Sequence, residues 1–157
     1  IEIKVVEDGE KILDTGGGIL NSIHFFNESF LCINPDTVWN LEYVKELKKM
    51  ENKFLSSKKK CFMLVVDKLK SFDKNFKGDF NLEDNLISRK NKENLKYIYT
   101  GLQIIKPELF MNIKEKVFSI NKIWDGLIQK NELFGMVSNI NFTHVSTLEI
   151  YKNLNIK

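Results

Sequence analysis

Apolar positions recur along this chain with two different periods. Ile1-Glu2-Ile3-Lys4-Val5-Val6 alternates and is β-branched, which predicts a strand, and Glu7-Asp8-Gly9-Glu10 predicts a turn. From Gly16 to Phe26 the period becomes helical, with Ile19, Leu20, Ile23 and Phe26 on one face. Phe30-Leu31-Cys32-Ile33 is a near-continuous apolar run of strand length, the pattern of a central strand covered on both faces. Asn40 to Phe54 is helical again through Leu41, Val44, Leu47 and Met50, and Cys61-Phe62-Met63-Leu64-Val65-Val66 reads as a second buried strand. Strand, helix and buried strand in this order form βαβ units and imply a parallel sheet.

Beyond Val66 the pattern loosens. Gly78 to Leu82, Leu86 to Arg89 and Leu95 to Ile105 read as strands separated by polar turns, a meander set beside the main sheet. Pro107 suits the start of a helix reaching about Ile113. Ser119 suits the cap of a helix from Ile120 to Lys130 that buries Ile123, Trp124, Leu127 and Ile128. Leu133 to Val137 and Asn141 to His144 read as strands, and Thr147 to Leu154 as a closing helix. Repeats and linkers are absent, and 157 residues match one domain spanning 1–157.

Composition narrows the function classes. A hydrophobic fraction of 43% with 29% charged residues is that of a globular chain and excludes wholesale disorder. Net charge is only +3, and Arg89 is the sole arginine, which argues against a nucleic-acid reader. Cys32 and Cys61 lie in apolar runs without metal-ligand spacing, so they read as buried free thiols in a reducing, cytoplasmic setting. No apolar run approaches the roughly 18 residues needed to cross a bilayer, so no membrane partner is expected.

Two features carry candidate chemistry. Gly16-Gly17-Gly18 opens a helix, where a bare backbone and unpaired N–H groups favour a phosphate; a tight turn at a helix start is the alternative. Asp36 follows an apolar strand, where open α/β sheets place ligand and metal groups; a turn-capping role is the alternative.

The order of motifs resembles the sugar-phosphate nucleotidyltransferases, in particular the branch containing N-acetylmuramate 1-phosphate uridylyltransferase and mannose-1-phosphate guanylyltransferase-like proteins. The likeness runs through Leu13-Asp14-Thr15-Gly16-Gly17-Gly18-Ile19, Ile33-Asn34-Pro35-Asp36, Gly78-Asp79-Phe80-Asn81-Leu82 and Tyr99-Thr100-Gly101-Leu102-Gln103-Ile104. It continues through Phe118-Ser119-Ile120-Asn121-Lys122-Ile123-Trp124-Asp125 and ends at His144-Val145-Ser146-Thr147-Leu148-Glu149. The resemblance implies an α/β, Rossmann-like, mostly parallel mixed sheet of the nucleotide-diphospho-sugar transferase type, missing its first βα units. The family's opening strand and Gly-rich, Arg-bearing phosphate loop have no counterpart in the 157 residues.

The implied reaction joins a sugar 1-phosphate to the α-phosphorus of a nucleoside triphosphate, UTP or GTP, and releases pyrophosphate. The product is a nucleotide-sugar of the kind used in cell-wall synthesis. The resemblance implies that Asp36 binds Mg²⁺ as the catalytic carboxylate. Thr15, Gly16, Gly17, Gly18 and Asn34 then border the nucleotide, and Gly101, Asp125 and His144 the sugar. For Asp125 helix capping stays open, and for His144 a structural role. His144 and Ser146 stand where most of the family has Asp and Gly, and Mg²⁺ prefers oxygen ligands. That departure supports a rival, a non-catalytic nucleotide-sugar-binding or regulatory protein. Abundant Lys, Asn and Ile with no Ala reads as AT-rich coding and keeps a decayed gene remnant as a third reading.

Lacking the phosphate loop, the chain alone is expected to show little turnover. It is also expected to be poorly stable by itself or to pair with a separate N-terminal piece. Its unfolding by denaturant should therefore be broad, and a sharp transition from a soluble monomer would overturn this expectation.

Overall fold

The computed structural model of the chain describes residues 2–155. Helix α1 (Asp14–Ser22) passes through a 3₁₀ turn (Ile23–Phe25) to strand β1 (Phe30–Ile33). Helix α2 (Tyr43–Leu55) leads to β2 (Cys61–Asp67). A hairpin of β3 (Asn81–Glu83) and β4 (Leu86–Ser88) precedes the long β5 (Tyr97–Ile105). The chain continues through α3 (Asn121–Gln129), β6 (Phe134–Ser138) and α4 (Leu148–Asn155). Among the described residues the strands form one sheet in the order β1-β5-β2-β6-β4-β3.

Strand β2 is the axis of the sheet. Every residue from Cys61 to Val66 is buried, because alternate side chains enter different cores. Cys61, Met63 and Val65 pack with Trp124, Leu127 and Phe118 under α1 and α3. Phe62 and Leu64 pack with Met50 and Phe54 of α2. Cys32 and Cys61 are both free thiols; Cys61 is buried, as expected, and burial pushes its thiol up, whereas Cys32 on the edge strand is only half-buried.

The mixed α/β class holds, while the pairing is mostly antiparallel rather than mostly parallel. β1 and β2 run in the same direction across α2, as the βαβ reading requires, but they are not neighbours. β5 lies between them, antiparallel to both, and only β2 and β6 form a parallel ladder. The Leu95–Ile105 run is thus a central strand and not part of a meander beside the sheet. β1 is an edge strand whose Phe30 and Cys32 face the core side while Leu31 and Ile33 are exposed. A four-residue apolar run looks the same whether one face or both are covered, and this explains the misassignment.

Other expectations shift for similar reasons. Glu2 to Val6 is not a strand: Ile3 and Val5 are exposed and the segment pairs with nothing in the sheet, while Ile1 lies outside the described residues. Asn141 to His144 makes only isolated bridges, Phe142 with Ser71 and His144 with Thr37. The Pro107 helix is a short 3₁₀ segment, Pro107–Phe110. The β3–β4 turn is formed by Asp84 and Asn85, both with left-handed φ of 49° and 64°, which matches the twist of a two-residue hairpin.

Two glycines with opposite surroundings test the packing. A Cβ on Gly17 would stand 2.2 Å from the Lys116 carbonyl oxygen, whereas one on Gly126 in α3 would meet nothing within 4 Å. Gly17→Ala is expected to destabilise by about 1–3 kcal/mol through overpacking. Gly126→Ala is expected to stabilise by about 0.5–1 kcal/mol by removing helix-interior backbone freedom. Urea denaturation of both variants beside the parent checks the pair of signs.

Candidate functional site

A register break in β5 builds the candidate site. Between the pairs Met63–Gln103 and Val65–Tyr99, β5 uses four residue steps where β2 uses two. The extra residues bulge at Thr100-Gly101, with Gly101 at φ +88°. Bulging leaves ladder carbonyls without strand partners, and threonine hydroxyls supply them. Thr100 Oγ1 donates to the Leu64 carbonyl at 2.9 Å, and Thr37 Oγ1 donates to the Thr100 carbonyl at 2.8 Å. The Asn34 N–H donates to the Gly101 carbonyl at 2.8 Å, so the turn after β1 is stitched directly to the bulge. A Cβ on Gly101 would stand 2.7 Å from Asn34 Cβ, so only glycine fits at this close approach.

The same turn delivers Asp36. The Trp39 indole donates to the Asn34 carbonyl at 2.9 Å. The Val145 N–H donates to the Asp36 carbonyl at 2.7 Å, and the Val38 N–H donates to that of Thr143 at 2.9 Å. These bonds lay the segment around His144 alongside the Asp36 turn. His144 Nε2 then stands 3.0 Å from Asp36 Oδ2. The imidazole stacks on Phe142 with centroids 6.1 Å apart and meets Phe76 edge-on at 5.8 Å. Its Nδ1 is buried without a hydrogen-bond partner among the described residues. Asp36 Oδ1 accepts no hydrogen bond within the described residues and its side chain is partly exposed.

Asn34, Asp36, Gly101 and His144 are therefore brought together. The other expected residues fall elsewhere in the chain's contacts. Gly16 and Gly17 are buried against Lys116–Phe118: the Gly17 N–H donates to the Phe118 carbonyl at 3.1 Å, and Cβ atoms on either would clash there. Their bare backbone serves the docking of α1 on its own chain. Thr15 and Gly18 lie on the same helix, with Gly18 near Asp8. Asp125 is ion-paired with Arg89, whose guanidinium also donates to Asn121 and lies 4.6 Å from the Phe80 ring centre.

Two residues of this region carried no assigned role in the sequence. Asp79 accepts from the Tyr99 N–H at 2.9 Å. Burial raises its carboxyl above the ordinary range, opposed by that hydrogen bond and by the charges of Arg89 and His144. Arg89, the sole arginine, links this carboxyl's surroundings to Asp125. Its uniqueness was the available signal; for Asp79 the signal was its place after Gly78.

As a metal donor set the site is sparse. Among the described residues no group of three or more His, Cys, Asp or Glu is arranged to hold an ion. The free Asp36 Oδ1 fits Mg²⁺ only in the mode where one carboxylate is completed by ligand phosphates and water. The His144 imidazole adds no oxygen.

The class this architecture defines is a sugar-phosphate nucleotidyltransferase-like fold. Among particular solved structures, HddC from Yersinia pseudotuberculosis complexed with GMP-PN superposes with a TM-score of 0.64 at 19% identity, over 92% of this chain and 62% of that one. The inositol-1-phosphate CTP transferase from T. maritima superposes at 0.66 and 13% identity, over 88% and 58%. A Bacillus anthracis protein assigned as a glucose-1-phosphate thymidylyltransferase, in complex with a sucrose, superposes at 0.61 and 18% identity, over 97% and 62%. The chain thus spans about three-fifths of the length of these structures. At these identities the likeness is one of fold. No protein-family model and no curated protein matches the sequence. Among the described residues no helix is long and apolar enough to cross a membrane.

The Asp79 environment gives a signed pH dependence. A carboxyl raised in the folded state contributes stability that is fully present below its unfolded value and is lost as pH rises through the folded one. Asp79→Asn keeps an acceptor for the Tyr99 N–H and removes the buried charge. It is expected to raise the unfolding midpoint at neutral pH, with the gain shrinking as pH falls into the carboxyl range. Urea midpoints across that range check the trend.

Proposed function

We infer that this polypeptide belongs to a sugar-1-phosphate nucleotidyltransferase and forms its metal- and sugar-side half. The observation that carries the reading is the convergence of Asn34, Asp36, Gly101 and His144 on one strand bulge in a nucleotidyltransferase-like sheet. In the proposed reaction a sugar 1-phosphate oxygen forms a bond to the α-phosphorus of UTP or GTP. The bond from that phosphorus to the bridging oxygen breaks, and pyrophosphate leaves with the electron pair. Such chemistry asks the protein for positioning and charge neutralisation rather than for a covalent intermediate.

Asp36 Oδ1 is the residue that would hold Mg²⁺ together with phosphate oxygens, and the ion when bound neutralises phosphate charge. His144 fixes the Asp36 carboxylate through Oδ2 and leaves Oδ1 free. Gly101 presents a bare backbone at which a sugar can approach closely. Asp125 acts through Arg89, its ion-pair partner. Thr15 and Gly18 take the nucleotide side, with Gly16 and Gly17 setting the seat of α1.

His144 in place of an oxygen donor favours one rival, a protein that binds a nucleotide-sugar without turning it over. Calorimetry with a UDP- or GDP-hexose, and an assay of pyrophosphate release from UTP or GTP with hexose 1-phosphates, separates the two. For the enzyme, binding requires Mg²⁺, and Asp36→Ala weakens it by roughly tenfold or more. Metal-independent binding that survives Asp36→Ala supports the rival, and absence of any binding overturns both.

A further inference from the structure

A second cleft lies apart from the Asp36 site. It is a cavity of about 680 Å³ between the segment after β2 and the 3₁₀ turn before β5. Four lysines line it, Lys68, Lys74, Lys77 and Lys92, against a single acid, Glu93. Phe76 forms part of its wall. The cleft has a fixed frame. Lys68 Nζ donates to the Leu95 carbonyl at 3.0 Å, and Lys74 Nζ donates to those of Ser71 and Leu69 at 2.8 and 3.2 Å. A Cβ on Gly78 would stand 2.2 Å from the Leu95 carbonyl oxygen, so the two walls meet at bare backbone.

The charge is unbalanced. Elsewhere lysines find acids, as in Lys49–Glu46, Lys60–Glu108 and Lys122–Glu115. Among the described residues Lys77 and Lys92 have neither an ion-pair nor a hydrogen-bond partner. Like charges gathered in one concavity repel, and an anion seated among them removes that repulsion. Ammonium groups act as point charges without the planar fork of arginine, which suits a phosphate more than a carboxylate or a base edge.

We propose that the cleft lined by Lys68, Lys74, Lys77 and Lys92 is a binding site for a phosphorylated small molecule carrying at least two negative charges. The proposal goes beyond the nucleotidyltransferase reading and does not depend on it. Phe76 is common to this cleft and to the His144 ring, so a phosphate here sits one aromatic side chain away from the Asp36–His144 pair.

The test is calorimetric titration of the full chain with inorganic pyrophosphate in low-salt buffer containing a metal chelator. A parallel arm uses a phosphate monoester, and the tighter of the two identifies the form of phosphate preferred. Saturable one-to-one binding is expected. It should weaken roughly tenfold or more in Lys77→Ala/Lys92→Ala, whose side chains hold no hydrogen bond or ion pair among the described residues, and persist in Asp36→Asn. The double variant Lys45→Ala/Lys48→Ala on the exposed side of α2 removes the same charge elsewhere and should bind like the parent. Equal weakening in both double variants, loss of binding in Asp36→Asn, or no saturable binding to the parent would each overturn the proposal.

Discussion

The contact between Gly101 and Asn34 is the constraint on which this site depends. A left-handed φ at a bulge bends β5 and brings its backbone against the turn that follows β1, a position that leaves no room for a Cβ. Once that contact is made, the remaining bonds follow in a chain. Asn34 bonds to Gly101, Thr37 covers the carbonyl the bulge exposed, and the Asp36 turn is held against Val145. His144 then meets Asp36 as a consequence of backbone stitching rather than of its own attraction. An ion pair between partly exposed groups contributes little stability by itself, so the backbone bonds position it.

The sheet explains why this bulge can exist. β5 lies between β1 and β2; β1 pairs with it only over Leu102–Ile105, while β2 pairs with it on both sides of the break, so the bulge is bridged by intact pairing at both ends on the β2 side. On the β2 side the ladder resumes at Tyr99 and continues to Tyr97. β2 in turn is clamped by two cores, one under α1 and α3 and one under α2. The bulge therefore sits in the best-buried part of the sheet.

Much of this was legible in the sequence, and the failures have physical causes. The helical stripe Val44, Leu47, Met50 and the unbroken run Cys61 to Val66 identified α2 and β2, because periodicity and run length report local burial. Neighbour relations in a sheet are non-local, so the placing of β5 between β1 and β2 left no trace in either strand's own pattern. For the same reason β1 was read as central. The glycine triplet left a ligand surface and a tight turn at a helix start both open, and Gly16 and Gly17 make room for the chain's own Lys116–Phe118 segment. Glycine signals close approach without saying of what. Asp36 and Gly101 were singled out by motif order, and their juxtaposition is visible only in three dimensions. The Arg89–Asp125 pair joins residues 36 apart in the chain, so Arg89 stood out as the sole arginine while its pairing with Asp125 did not.

The two carboxylates of this region have been given different environments. Asp79 is drawn inward, accepts from the Tyr99 backbone and is raised by burial, with Arg89 and His144 as opposing charges. Asp36 stands at a turn, with one oxygen occupied by His144 and the other open. A buried carboxyl with a satisfied backbone donor is suited to holding β5 and the Gly78 loop together, while a partly exposed one with a free oxygen is suited to meeting a ligand. His144 touches Asp36, and its ring meets Phe76 on the loop that Asp79 secures. That loop carries Phe76 and Gly78 and forms one wall of the lysine cleft. Phe76 therefore stands between the His144 ring and the lysine cleft.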